Sequence, residues 1–77
     1  MSIDRDSAEP PWRQLEAILR HQIESGELAP GQRLPSILSL SQEYELATVT
    51  VRKALAALRE AGLVETTFGW GTFVTKR

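Results

Sequence analysis

The sequence predicts a mainly α domain closed by a small β-hairpin, an α+β protein, and three observations carry that expectation. Apolar residues recur at helical spacing in three successive segments. The second and third of these are separated by only two or three residues, the tight joint of a helix-turn-helix. Beyond Gly62 the helical period gives way to short β-branched and apolar runs around a glycine-containing loop.

Pro10-Pro11 opens the first helix, because the first-turn N–H that proline lacks would be unpaired there in any case. Leu15, Ile18, Leu19 and Ile23, with Trp12 a turn earlier, trace its apolar face, and Gly26 is its expected stop. Pro30-Gly31 marks a turn, followed by a short extended stretch around Arg33-Leu34. Ser36 is placed to cap a second, short helix that ends near Glu45, with Ile37, Leu40, Ser41 and Tyr44 on one face. A third helix starts at Ala47 or Thr48 and runs to Ala61. Val51, Ala54, Leu55 and Leu58 form its inner face, and Thr48, Val49, Arg52 and Lys53 lie on the opposite side. Leu63 to Thr67 and Thr72 to Thr75 read as two strands, with Phe68-Gly69-Trp70-Gly71 between them. Met1 to Glu9 lacks apolar periodicity. The expected division is a flexible arm, 1–10, and one folded domain, 11–77.

At 77 residues the chain fits one small domain. It has no cysteine, so no disulfide supports the fold and nothing argues for an oxidising compartment. No apolar run approaches the roughly 20 residues of a membrane span, and the polar, acidic N-terminus is unlike a signal peptide. A soluble cytoplasmic protein, without membrane partners, is the expectation. No enzyme is expected either. His21 is the sole histidine, reads as an exposed helical residue, and has only Glu24 at i+3 as a second metal donor. Gly69-Trp70-Gly71 lies between two strands and is therefore no strand-to-helix phosphate loop. Neither a cofactor nor a metal is implied.

Three stretches carry a resemblance that covers about Pro11 to Val74: Ser25-Gly26-Glu27-Leu28-Ala29-Pro30-Gly31-Gln32-Arg33-Leu34-Pro35-Ser36; Thr50-Val51-Arg52-Lys53-Ala54-Leu55; and Glu60-Ala61-Gly62-Leu63-Val64-Glu65 leading into Gly69-Trp70-Gly71-Thr72-Phe73-Val74. In this order and spacing they resemble the DNA-binding domain of the GntR family of bacterial transcription regulators. The resemblance implies a three-helix winged helix-turn-helix that binds double-stranded DNA sequence-specifically, as a transcription factor; a repressor is the expectation, with repressor versus activator left open. Helix 47–61 would enter the major groove and the wing, 63–75, would lie at the minor groove. A single module of this kind buries only about 600–1,000 Å² on DNA. A homodimer on a palindromic operator is therefore expected, with the first helix and the arm as candidates for self-association. In the family a larger effector-binding or dimerisation domain follows. Whether this chain is a stand-alone regulator or part of a longer one is open, and no effector is identified.

For Arg52, Ser36, Gly69 and Gly71 the resemblance also assigns roles, while Thr48, Thr50, Lys53 and Trp70 are candidates by their chemistry and place in the chain. Arg52 matches the arginine of the family's recognition helix, as a phosphate or guanine contact; the alternative is an exposed arginine paired with an acidic neighbour. Thr48 and Thr50 can bond phosphate or a base, or touch a thymine methyl, unless Thr48 only caps its helix. Lys53 is a point charge for phosphate or a solvated surface lysine. Ser36 is a helix cap that can also serve a phosphate at the same helix end. Gly69 and Gly71 let the wing backbone approach DNA and satisfy turn geometry together. Trp70 packs on the domain, on DNA sugars or on a partner protein, where tryptophan is enriched.

Three departures from the family pattern are visible: Leu38 where an arginine is usual, Ala47-Thr48 opening the third helix, and Trp70 where the wing tip commonly carries arginine. Each missing phosphate contact lowers the salt slope of binding by about 0.9. With the net charge of −1, they keep a second function open: a winged helix used for protein contact or dimerisation, with weak or lost DNA binding.

Overall fold

The computed structural model describes residues 3–67, 69 and 71–76. Three helices, α1 (Pro11–Glu24), α2 (Ile37–Tyr44) and α3 (Thr48–Glu60), precede two antiparallel strands, β1 (Val64–Thr67) and β2 (Gly71–Val74). α1 packs on α3, α2 packs on α3, and the hairpin follows from the end of α3. The expected helix limits are met to within one residue.

α1 begins with Pro11 in the first-turn position and ends at Ser25, where Gly26 takes φ +87. It buries Leu15, Ile18 and Leu19. Glu16 and Arg20 pair along its surface at 2.5 Å, four residues apart. α2 is capped as expected: Ser36 Oγ accepts from the Ser39 N–H at 3.0 Å. It ends at Glu45, whose φ of +54 is left-handed although the residue is not glycine. The Glu45-Leu46-Ala47 joint is fixed from inside, since Leu46 is buried and its N–H donates to Ser41 O at 2.9 Å. The Ser41 hydroxyl donates to Leu46 O.

α3 turns Val51, Ala54, Leu55 and Leu58 inward, all buried, and leaves Thr48, Val49, Arg52 and Lys53 exposed. Leu15, Leu19, Leu40, Val51, Leu58 and Val64 sit at the centre of the core. Among the described residues no charged or polar residue is buried as a whole, and the one side-chain polar atom buried without a hydrogen-bond partner is the Thr75 hydroxyl oxygen at the edge of the sheet. A core this small stays apolar, because an unpaired buried polar group costs about 1–3 kcal/mol against a net stability of only a few.

Val64 pairs with Val74, Glu65 with Phe73, Thr66 with Thr72 and Thr67 with Gly71. Gly71 therefore belongs to β2 and not to the loop, and Leu63 and Thr75, expected within the strands, lie just outside them, a shift of one residue at three strand ends. The extended stretch expected at Arg33-Leu34 also joins the sheet. Arg33 bridges Phe73 antiparallel. Gly31 N donates to Val74 O (2.9 Å), Leu34 N to Thr72 O (2.8 Å) and Val74 N to Gln32 O (2.8 Å). β2 thus runs between β1 and the segment that leads into α2.

Residues 3–10, expected as a flexible arm, contact the body. Ile3 packs against the core. Asp4 N donates to Gln14 Oε1 at 2.7 Å, and Gln14 Nε2 donates to Asp4 O and Glu9 O at 2.7 and 2.9 Å. Arg5 donates to the carbonyl of Glu45. One apolar anchor and one amide that bonds backbone at two points create no periodicity, so pattern reading passes over them.

Candidate nucleic-acid interface

The outward face of α3 follows from its inner one. With Val51, Ala54, Leu55 and Leu58 turned inward, the 3.6-residue period sends Val49 and Lys53 nearly opposite, with Thr48 and Arg52 to one side. Thr48 does not cap the helix. Ala47 holds the cap position, makes no side-chain bond there, and leaves Thr48 exposed in the first turn. Thr50 is half-buried; Arg52 is exposed. Among the described residues Glu16–Arg20 is the only ion pair within 4 Å, so the alternative of an acid-paired Arg52 is not realised there. Unpartnered first-turn N–H groups and the helix dipole add positive potential at this end.

Lys53 does more than face water. Its Nζ stands 4.9 Å from the centre of the Trp12 ring, and Arg13 Cζ stands 5.6 Å from the same ring. Trp12 is half-buried between α1 and α3. It therefore holds the lysine's charge close to the helix by cation–π attraction.

A second group gathers where the hairpin meets the start of α2. A cleft of about 470 Å³ is lined by Arg33, Ser36 and Leu38 on one side and by Thr66, Gly69, Gly71 and Thr72 on the other. Ser36, Gly69 and Gly71, singled out from the sequence, come together here, whereas Thr48, Thr50, Arg52 and Lys53 belong to α3. Trp70, also singled out, lies outside the described residues. Leu38 is 61% exposed, as its place on an outer helical face implies.

Arg33 is the residue that sequence reading passed over. A Cβ added to Gly71 would lie 2.9 Å from Arg33 Nε and 3.3 Å from Nη2, so the guanidinium rests against the glycine backbone at the loop end of the hairpin, where Gly71 pairs with Thr67. The absent side chain at Gly71, with φ +110, is what allows this approach. The signal available in the sequence was alternation: Leu34 points inward, so Arg33 beside it points out.

A family model for bacterial regulatory proteins, gntR family, matches residues 11–74. The mannosyl-D-glycerate transport/metabolism system repressor MngR of Escherichia coli is 43% identical over 65 residues, 84% of this chain and 27% of that protein. The repressor NagR of Bacillus subtilis is 38% identical over 76 residues, 99% of this chain and 31% of that protein. The chain thus spans about a quarter to a third of the length of these two relatives and of the Streptomyces coelicolor regulator SCO4628, which is 38% identical over 68 residues. Among solved structures, AraR(DBD) in complex with operator ORE1 superposes with a TM-score of 0.86 at 29% identity, over 95% of this chain and 89% of that one. Helix order, the three-residue joint, the hairpin and the family match over 11–74 agree, and the chain belongs to the gntR family of bacterial regulatory proteins.

Proposed function

We propose that this domain reads double-stranded DNA as the reading head of a transcription repressor, with α3 in the major groove and the hairpin against the neighbouring minor groove. The observation that carries it is the outward face of α3: Thr48, Arg52 and Lys53 exposed over the first two turns, with no acidic partner among the described residues, directly after a tight three-residue joint. A groove about 12 Å wide admits one such helix, read from its N-terminal end. The likeness to AraR(DBD) bound to its operator supports the same use of the fold.

In this reading Arg52 contacts phosphate or guanine, and Lys53 contacts phosphate from its seat over Trp12. Thr48 and Thr50 bond the backbone or a base. Ser36, Gly69 and Gly71 bring the start of α2 and the hairpin close to phosphate, with Trp70 as a further candidate contact to DNA. Residues 11–77 form the reading unit and 1–10 its appended arm. Two copies bind a palindromic operator in the cytoplasm, and the reading involves no catalysis. Exposure of Leu38 (61%), with the net charge of −1, favours a second reading, a docking surface for a partner protein.

The test is selection from random duplexes at about 50 and 200 mM salt, the range in which phosphate-dominated affinity falls steeply. Enrichment of a palindrome, weakened by about 1–3 kcal/mol in Arg52→Ala, is the expected result. Background binding by both proteins at low salt would turn the fold over to protein contact.

A further inference from the structure

We propose that Val49 reads the C5-methyl group of a thymine in the major groove and so sets base preference at one position of each half-site. This rests on the DNA-reading function proposed above. Val49 is 71% exposed in the first turn of α3, on the side of the helix away from the buried stripe. The core closes without it: Val51, Ala54 and Leu58 are fully buried two, five and nine positions further on. An apolar side chain in that place gains only by being covered.

The major groove offers hydrogen-bond donors, acceptors and one apolar group, the thymine methyl. Valine has no polar atom, so among base edges that methyl is the only one it can favour. Its β-branch confines it to one strongly preferred rotamer in a helix, so its two methyls are already positioned before contact. The neighbours are polar. Thr48 precedes it, Arg52 follows at i+3, and Lys53 at i+4 is held over Trp12. The result is one apolar point inside a ring of groups suited to phosphate, which fixes the helix while Val49 discriminates.

Replacing thymine by deoxyuridine removes this methyl and leaves the base pair unchanged. The duplex enriched by selection is therefore titrated against the 77-residue chain, by fluorescence anisotropy at one salt concentration, with each thymine replaced in turn. One replacement per half-site should weaken the parent about fourfold, the worth of one buried methyl. The same replacement should leave Val49→Ala unaffected. The variant keeps an exposed helical position and gains helix propensity, and circular dichroism checks that it folds. If no replacement alters parent binding, or if Val49→Ala retains the full loss, the assignment of Val49 is overturned while DNA reading stands. A parent that binds no duplex at all overturns both.

Discussion

Gly71 offers the sharpest test of how the hairpin is built. Its φ of +110 lies beyond the left-handed well that L residues visit, and an added Cβ would meet three atoms of the Arg33 guanidinium at 2.9–3.4 Å. Holding a non-glycine residue in such a region costs about 1–3 kcal/mol. Alanine recovers about 0.4–1 kcal/mol of this by restricting the unfolded chain. The steric part is smaller, because Arg33 is exposed and its side chain can swing aside. Gly71→Ala should therefore lose about 1–2 kcal/mol. For a domain of this size that is a fall in Tm of about 4–8 °C per kcal/mol. Urea denaturation followed by circular dichroism gives the number directly. Gly69→Ala is the control: its φ of +80 is nearer the left-handed well and nothing lies within 4 Å of its Cβ, so its cost should be smaller. Repeating Gly71→Ala in an Arg33→Ala background should restore only the steric part. A Gly71→Ala protein within about 0.3 kcal/mol of the parent, or a Gly69→Ala protein that loses more, would refute this account of the strand.

The two helix starts make an opposed pair. Ser36→Ala should cost about 1 kcal/mol through the lost bond to Ser39 N. Ala47→Ser should stabilise by a few tenths to about 1 kcal/mol, because Ala47 (φ −64, ψ 148) already has the backbone of Ser36 (φ −66, ψ 162) without its oxygen; chemical denaturation reads both. Trp12→Ala and Lys53→Ala, separately and together, should show a coupling of about 0.5–1 kcal/mol. Additive losses would separate the two residues energetically. Burial pushes the Tyr44 phenol above its ordinary value of 10, and Glu43 and Glu27 push it the same way. The folded state thus keeps a proton that the unfolded state releases, so this contribution is complete below pH 10 and is lost as pH rises through the folded value. Stability measured against pH should fall above about 10, with the Tyr44 share of that fall missing from Tyr44→Phe.

What was legible in the sequence was whatever depends on neighbours along the chain. Leu15, Ile18 and Leu19 place α1, Val51, Ala54, Leu55 and Leu58 place α3, and each set needs only the helical period to be read. Gly26 marks the end of α1 for the same local reason, as does the hydroxyl of Ser36 for the start of α2. The outer face of α3, and with it the placement of Arg52, follows from the inner one. What escaped depends on distant partners. Arg33 acquires its position from Phe73 and Gly71 across the sheet, and Lys53 from a tryptophan on another helix. Glycine at position 71 signals a turn locally, while its pairing with Thr67 is set by register. Glu45 gave no sign of its left-handed backbone, which the buried Leu46 beside it and the bond from Arg5 accompany.

The pairing of residues 31–34 with β2 has a consequence for the heat of binding. Because β2 at the base of the hairpin is bonded on both flanks, that base is ordered without DNA, and in the proposed reading it meets DNA preformed. Association then carries little ordering entropy at that base. The change in heat capacity measured by titration calorimetry should therefore follow the apolar area that base covers, without the large excess that marks a segment folding as it binds.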